Sequence, residues 1–449
     1  MTKPPAGAMT PGGELANLAA GLRAGLAGEL AGAVLLRHEL HAGAELSGSE
    51  HRTAARVAAA LGAADAAVVA GTGRIVRIGP RDGPSIAIRA ELDALPIPEQ
   101  TGAPWASRTG AMHACGHDVH LAALVALGRA AAAVRPSGGP SAGLPAGLAA
   151  AMPDGLAAAM PDGLAAAMPD GLPAAMPDGL AAAMPDGLPA ALLAVLQPRE
   201  EATPSGARDI VAGGELAAQR PRAVLAVHLQ HQLPAGTVAA PAGTVNAACD
   251  DFEIRVDGTG GHAGYPHLVA DPVLALCQVV VAVQQIVSRR TDPTHAAVVS
   301  VGALEAGRAP NVIPPAAVAR GTLRALDQAD RAAMHAALRE IVAHTCRAHG
   351  CRGTVTIDEG EPALVNDEAL AAASRPWLRA AGFAVEESFR SCGADDFARY
   401  ADVAPTLMLF LGTGGPLPLH HPEFLPSDDT VGQVAAAMLA GYLGAVSLL

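Results

Sequence analysis

Apolar residues along the chain follow two alternating patterns. Helical spacing runs through residues 15–40, and a second helix is predicted to end at Leu61 after a capping box formed by Ser47 and Glu50. Continuous apolar runs of strand length occur at residues 85–89, 192–197, 223–229 and 406–412. Strands separated by helical stretches predict an α/β fold, with an open and mainly parallel sheet.

A different order of elements occurs between residues 246 and 361. A strand, a long helix over residues 271–290, two strands, a second helix and a last strand follow one another. This β-α-β-β-α-β order is typical of a separate α+β module. We therefore predict a catalytic α/β domain formed by residues 14–245 and 362–449, into which residues 246–361 are inserted.

An octapeptide, GLAAAMPD, is repeated five times over residues 147–186 with one Ala-to-Pro change. A proline in every repeat blocks a continuous helix, and solenoid repeats have periods of roughly 20 residues or more. We interpret residues 143–190 as a low-complexity surface insertion in the first domain, with a docking or lid segment as the alternative.

Length and composition narrow the class of protein. The 449 residues are too many for one core and predict two domains, and the net charge of −13 argues against a nucleic-acid partner. No strongly apolar run of membrane-spanning length or signal-peptide core is evident, so we expect a cytoplasmic protein that does not bind a membrane. Six cysteines do not make a disulfide framework, and reduced thiols are predicted, with a Cys346–Cys351 pair as the alternative.

The densest chemical signal is MHACGHDVH, residues 112–120. Cys115 and His117 are two residues apart in a Gly-containing loop before a predicted helix, so both side chains can reach one point. Thiolate and imidazole together suit zinc, manganese, cobalt or nickel. A buried cysteine beside surface histidines is one alternative. A cysteine nucleophile paired with His117 is another, although residues this close in one loop are poorly placed for a pair that needs independent orientation.

Two carboxylates, Glu200 and Glu201, directly follow the apolar run 192–197. Adjacent residues of an extended chain point in opposite directions, so one carboxylate can bind a metal while the other faces a substrate. Two carboxylates near a cation also titrate as a coupled pair, which gives one of them the proton affinity of a base. A solvated acidic turn is the alternative.

Other polar residues lie at the ends of further predicted strands. His228 is near the end of the run 223–229, Asp93 follows the first run, and His420 or His421 follows the last one. Ligand sites in open α/β sheets lie at the carboxyl ends of the strands, so we expect these residues to converge. A structural role for a lone strand-end histidine is the alternative.

Taken together, these segments resemble the hippuricase and N-acyl-amino-acid amidohydrolase group, which includes the plant auxin-conjugate hydrolases. That group lies within the aminoacylase and carboxypeptidase G type of dinuclear metallopeptidases. The resemblance extends from about Leu35 to Asp429 outside the repeats, and rests on RAELDALP, MHACGHD, LQPREE, GGHAGYPH, APNVIP, GADDF and LHHPEF. It departs at Glu91, Ala44 and Asp395, where aspartate, proline and glutamate are commoner, and no presumed ligand is lost.

The resemblance implies an enzyme with two divalent metal ions in each subunit. The implied metal ligands are Cys115, His117, Glu201, His228 and His420. Glu200 is implied as the general base and acid, and Asp93 as a carboxylate that orients the metal site. The implied reaction is hydrolysis of the amide bond of small N-acyl amino acids or dipeptide-like substrates. A metallo-exopeptidase and a catalytically inactive binding relative are the alternatives.

The resemblance also implies a role for the inserted module in a homodimer. His262, Asn311 and Arg324 match residues that contact the small-molecule substrate or stabilise the oxyanion, typically across the dimer interface. A turn histidine, a loop asparagine and a surface arginine are the alternatives for these three positions.

Overall fold

The computed structural model describes residues 13–134 and 187–449. The helices in these ranges are α1 (Gly13–Ala42), α2 (His51–Ala60), α3 (His117–Ala133), α4 (Gly206–Gly213), α5 (Glu215–Ala218), α6 (Pro272–Val283), α7 (Gln328–Ala348), α8 (Glu368–Ala380) and α9 (Asp429–Val446). The strands are β1 (Val68–Val69), β2 (Gly73–Ile78), β3 (Ser85–Glu91), β4 (Ala191–Gln197), β5 (Pro221–Gln230), β6 (Thr237–Ala239), β7 (Gly243–Asn246), β8 (Ala248–Asp257), β9 (Gly261–His262), β10 (Ala297–Ala306), β11 (Val312–Ile313), β12 (Ala316–Ala325), β13 (Arg352–Glu359), β14 (Leu364–Asn366), β15 (Ala384–Glu386) and β16 (Thr406–Gly412).

The larger sheet has eight strands in the order β1-β2-β4-β3-β5-β16-β6-β15. Its four central strands, β4, β3, β5 and β16, run parallel to one another, whereas β2 runs antiparallel to β4 and β6 runs antiparallel to β16. Strands β3, β4 and β16 are buried along their whole length, because both faces of the sheet are covered. Such strands are continuous apolar runs rather than alternating ones, which explains the sequence pattern. The predicted fold class is confirmed.

One face of this sheet packs against α3 and α9, and α1 packs against these two helices. The other face packs against α4 and a 3₁₀ segment, Asp396–Asp402. By length and composition α1 could cross a membrane. In this structure Leu18, Leu22 and Leu36 of α1 lie in the protein core. A buried core helix can have the same length and apolar composition as a membrane-spanning helix.

The smaller sheet is antiparallel, in the order β10-β12-β8-β13. Helices α6 and α7 cover one face and enclose a separate core. The order of its main elements follows the sequence prediction, which missed only the short β9–β11 ribbon. The predicted helix over 271–290 is divided, since α6 ends at Val283 and a π-helical turn, Ile286–Arg290, follows it.

The capping box predicted for Ser47 and Glu50 is wrong. Neither side chain caps α2. Ser47 Oγ instead donates to Asp93 Oδ2 at 2.7 Å, and Glu50 turns toward other segments. The first turn of α2 is held by Glu45, whose carboxylate accepts a 2.8 Å hydrogen bond from the backbone N–H of Thr53. Hydrogen bonds to residues distant in the sequence, Asp93 and Arg199, have replaced the local hydrogen bonds of a capping box.

Two other predictions concern the repeats and the cysteines. The repeats at residues 147–186 lie outside the described residues, so their interpretation as a surface insertion stays a prediction. All six cysteines are free thiols, including Cys346 and Cys351. The alternative disulfide is therefore absent from this structure.

Candidate active site

The polar residues predicted to converge do meet at the carboxyl edge of the larger sheet. Strand β3 leads to Asp93, β4 leads to Glu200 and Glu201, and β5 carries His228. Cys115 lies in the loop that enters α3, His117 is the first residue of that helix, and the segment after β16 brings in His420. The parallel strands place these ends side by side, as the topology requires.

Cys115 lies at the centre of the cluster. Its Sγ is 3.4 Å from Nε2 of His228. Two groups of metal-type donors share this thiol, one with His117 and His228 and the other with Glu201 and His420, and the ligand atoms of each group lie within 4.8 Å of one another. These five residues would hold divalent cations, and Cys115 belongs to both groups.

The histidines are oriented as metal ligands are. His117 Nδ1 donates to the carbonyl oxygen of Asp93 at 2.8 Å, and His228 Nδ1 donates to the carbonyl oxygen of Leu229 at 2.7 Å. A carbonyl oxygen can only accept, so in each neutral ring Nε2 carries the free lone pair. Among the described residues, the buried Nε2 of His117 has no hydrogen-bond partner. A divalent cation would satisfy this atom, and the residues present therefore fit a metal site.

The structure also distinguishes His420 from His421. His420 Nε2 lies 3.1 Å from Glu201 Oε1, whereas His421 Nδ1 accepts from the backbone N–H of Glu423 at 3.2 Å. His420 has a left-handed backbone (φ +66°) and its N–H donates to the carbonyl oxygen of Ala114. A non-glycine residue in this conformation costs of order 1–3 kcal/mol and is common at functional sites.

Asp93 links two of the candidate ligands. Its Oδ2 accepts from the backbone N–H of Glu201 at 2.9 Å and from Ser47 Oγ at 2.7 Å. Its backbone carbonyl holds the ring of His117. The fully buried Asp93 therefore positions Glu201, which follows β4, and His117, which begins α3, at the same time.

Glu200 and Glu201 differ in their electrostatic surroundings. Burial raises the pKa of Glu200 well above its ordinary value, and Asp395 and Glu201 raise it further. Burial also acts to raise the pKa of Glu201, but contact with His420 and the charge of His117 outweigh this and lower it. Glu200 therefore suits proton transfer and Glu201 suits cation binding.

A buried ion network behind the site was missed at the sequence level. Arg89 in β3 is fully buried, and its Nη2 lies 2.9 Å from Asp395 Oδ1 and 2.8 Å from Asp396 Oδ1. Arg89 also pairs with Glu91, whose other oxygen bonds His120 Nδ1 at 2.9 Å. The available signal was the pair of charged residues inside an otherwise apolar run, because such charges must be paired when buried.

The residues of the inserted module lie in two places. His262 and Asn311 are neighbours on the β9–β11 ribbon, where the N–H of Ala263 donates to the carbonyl oxygen of Asn311. Within the described ranges, neither side chain has a hydrogen bond or ion pair with the five candidate ligands. Arg324 of β12 contacts the segment before Asp395, since its Nη1 donates to the carbonyl oxygen of Cys392 at 2.9 Å.

The geometry does not suit a cysteine nucleophile. Burial and the nearby carboxylates of Glu201 and Glu200 raise the pKa of Cys115 well above its ordinary value. A nucleophilic cysteine needs the opposite shift. A divalent cation at the sulfur would favour the thiolate, which makes Cys115 a better ligand than nucleophile.

Comparisons with known proteins identify the family. Residues 87–149 match the model of peptidase family M20/M25/M40, and residues 249–350 match the peptidase dimerisation domain. The chain is 32% identical over 401 residues to an N-acetyl-L-cysteine deacetylase of Bacillus subtilis, which covers 88% of this chain and 84% of the relative. The chain belongs to peptidase family M20/M25/M40. The predicted resemblance and the predicted class, a metal-dependent amidohydrolase, are confirmed.

Other members of the family agree. An N-acetyldiaminopimelate deacetylase of Shouchella clausii is 30% identical, over 83% of this chain and 86% of its own length. Among solved structures, an aminohydrolase from methicillin-resistant Staphylococcus aureus superposes with a TM-score of 0.76 at 27% identity, over 94% of this chain and 98% of the other. A dinuclear metal-binding M20 peptidase of Bacillus subtilis gives a TM-score of 0.71 at 26% identity, over 94% and 99%. Membership of this family and the likeness to a dinuclear metal-binding peptidase support the use of divalent metal ions by this chain.

Proposed function

We propose that this M20 chain hydrolyses small N-acyl amino acids at a centre of two divalent ions, with zinc, manganese, cobalt and nickel as the candidates. The proposed ligands are Cys115, His117, Glu201, His228 and His420. The observation that carries the proposal is the buried thiol of Cys115, which is shared by two groups of donor atoms. Soft sulfur and imidazole ligands favour these metals over magnesium or calcium.

Bound at this centre, divalent ions would lower the pKa of a water molecule and polarise the amide carbonyl. Glu200, whose Oε2 lies 3.9 Å from His117 Nε2, takes the proton from the water. Its raised pKa lets it hold that proton while the amide carbon is attacked, and then deliver it to the leaving amine. Asp93 keeps Glu201 and His117 in place during both steps.

Substitution of the two adjacent glutamates tests these roles. Glu200→Gln should retain its metal and lose roughly 10²–10⁴-fold in turnover, the scale of a general base. Glu201→Gln should instead lose metal affinity, and excess metal should partly restore its turnover. Metal content measured beside kcat distinguishes the two. Exchanged phenotypes would reverse the assignment, and full turnover in both variants would remove it.

The position of Arg324 is consistent with a substrate that carries the free carboxylate of an amino acid. Its guanidinium lies beside the carbonyl of Cys392, three residues before Asp395 of the buried ion network. We assign it to the substrate carboxylate, a charge that guanidinium binds well. The deacetylase names of the relatives favour small acyl groups such as acetyl. A metallo-exopeptidase with the same centre is the second candidate, and a panel of N-acyl amino acids against dipeptides decides between them.

The inserted module, residues 246–361, is proposed to form a homodimer. Helix α6 exposes Leu274, Cys277 and Val281 at helical spacing, with Leu274 51% and Val281 69% exposed. The strand β10 is an edge of its sheet and exposes Leu304. An apolar stripe and a free strand edge suit a second copy of the same surface. We further propose that His262, aided by Asn311, reaches the substrate bound by the partner subunit and stabilises its oxyanion. We also propose that the enzyme acts in the cytoplasm and binds neither nucleic acid nor a membrane.

A further inference from the structure

The backbone before Glu200 is held in an uncommon conformation. Among the described residues, only four non-glycine residues have a positive φ, and two of these, Arg199 (φ +51°) and His420, belong to the candidate site. Arg199 directly precedes Glu200. A left-handed residue persists only where its surroundings over-determine it, so the contacts of Arg199 are informative.

A buried carboxylate holds this backbone. Glu50, which is fully buried, accepts the N–H of Arg199 on Oε1 at 2.9 Å. The same oxygen accepts the N–H of Gly48 at 2.8 Å, and Oε2 accepts the hydroxyl of Thr72 at 2.8 Å. Glu50 therefore ties the loop before α2 and the turn before β2 to the end of β4.

The residues on either side of Glu200 in the sequence each have a backbone N–H that is hydrogen-bonded to a buried carboxylate. The N–H of Arg199 is fixed by Glu50, and the N–H of Glu201 is fixed by Asp93. The second carboxylate is itself bonded by Ser47, three residues before Glu50. The segment from Ser47 to Glu50 thus fixes the turn around Glu200 on both sides, through Glu50 directly and through the bond from Ser47 to Asp93.

We infer that Glu50 is a positioning residue for the general base. It fixes the left-handed backbone of Arg199 and thereby the direction in which Glu200 meets the substrate water. The inference rests on the proposed role of Glu200. Glu50 itself does not touch the metal ligands, so it acts on proton transfer and leaves cation binding unchanged.

Two variants of Glu50 separate geometry from charge. Glu50→Asp keeps the charge but is one methylene too short to reach Arg199, Gly48 and Thr72 together. Glu50→Gln keeps the length, since its carbonyl oxygen accepts both N–H groups and the hydroxyl of Thr72 can accept from the amide. We expect Glu50→Asp and Glu50→Ala to lose roughly 10–100-fold in kcat, the scale for residues that orient catalytic groups, with metal content and KM unchanged. Glu50→Gln should retain most of the wild-type kcat.

The matched control is Glu45 on the same segment. Its carboxylate bonds Thr53 and Arg52 at the start of α2 and does not contact the turn at Arg199. Glu45→Ala should therefore lower the melting temperature and leave kcat unchanged. This control measures what loss of the local fold alone does to turnover.

A double-mutant cycle decides the mechanism. In a Glu200→Gln background, Glu50→Asp should cause no further loss of kcat, because the residue it positions is no longer a base. An equal loss in both backgrounds, or a Glu50→Gln variant as weak as Glu50→Asp, would overturn the positioning role. If Glu200→Gln alone kept full turnover, the proposed function would fail instead, and the two failures are distinct. The Asp and Gln variants suffice for the decision if Glu50→Ala does not fold.

Discussion

The larger sheet is covered on both faces, whereas the smaller sheet is covered by α6 and α7 on one face only. Polar side chains of the first sheet therefore collect at its carboxyl edge, where they form the candidate metal centre. In the second sheet they are spread along the open face, as with Asp251, Arg320 and Thr356, which line one shallow cavity of about 480 Å³. The comparison shows that a sheet covered on both faces places its polar side chains at the strand ends. A sheet with one open face leaves polar side chains on that face, where they can contact a partner or a substrate.

Charged residues in the two sheets differ in the same way. Arg89 in the larger sheet is fully buried and pairs with three carboxylates, so the loss of one partner leaves a buried charge. Arg320 in the smaller sheet is half exposed and bonds Glu253 and Glu305 at the surface. Surface pairs of this kind contribute little to stability. Substitutions at the buried edge should therefore have larger effects than substitutions on the open face.

The largest effect is expected at Cys115. Cys115→Ala should lower metal content and reduce turnover to that of the chelated protein, because it removes the ligand shared by both donor groups. Cys249→Ala is the control, since this thiol lies on β8 in the smaller sheet, 3.5 Å from Thr322 Oγ1. Metal analysis and kcat are the measurements. Undiminished turnover in Cys115→Ala would contradict the proposed centre.

The second effect tests whether the inserted module completes the active site of the partner subunit across the dimer. Glu200→Ala and His262→Ala chains, each nearly inactive alone, are mixed and allowed to exchange subunits. A mixed dimer then holds one site with both residues intact. Random pairing makes about half of the dimers mixed, so activity should recover to roughly a quarter of wild type. No recovery would mean that His262 acts within its own chain, and a near-normal His262→Ala would leave it a turn histidine.

A smaller loss is expected at Arg324. Arg324→Gln should lower kcat/KM for substrates with a free carboxylate by roughly 10–100-fold, which corresponds to about 1.5–3 kcal/mol for a charged hydrogen bond. Substrates with an amidated carboxyl should lose much less. Arg320→Gln is the matched control on the same strand and face, and it should leave kcat/KM unchanged. Equal losses for both kinds of substrate would argue against carboxylate binding.

The sequence was sufficient to predict the fold and the convergence of polar residues at the strand ends. Continuous apolar runs marked the buried strands, and Cys115, His228 and Glu201 stood where those runs end or where α3 begins. Arg89 and Glu50 were missed because their partners are remote, 306 residues away at Asp395 and 149 residues away at Arg199. No spacing rule connects positions so far apart. The capping box failed for the same reason, since contacts from distant segments outweighed a four-residue pattern.

The smallest effect is expected in the core of the smaller sheet and should appear in stability alone. Asp250 of β8 is buried and accepts from Arg331 Nε at 2.8 Å and His335 Nε2 at 2.6 Å, while Gly360 N–H bonds its other oxygen. Burial acts to raise the pKa of Asp250, but the bonds from Arg331 and His335 outweigh it and hold that pKa below its ordinary value of 3.8. The exposed Glu359 is the other acid near this cluster, 4.0 Å from both partners.

Because the folded-state pKa is lowered, the ionised Asp250 adds stability that is fully present above pH 3.8 and is lost as the pH falls toward the folded value. Asp250→Asn should cost about 1–3 kcal/mol at neutral pH, since it removes the charge from bonds to a buried arginine. The difference in melting temperature between wild type and variant should be present at neutral pH and should narrow as the pH falls below 3.8 toward the folded value. Turnover at neutral pH should be unchanged, because Asp250 lies in the core of the smaller sheet, away from the metal centre. A variant as stable as the wild type at neutral pH would contradict a stabilising role for the ion pair.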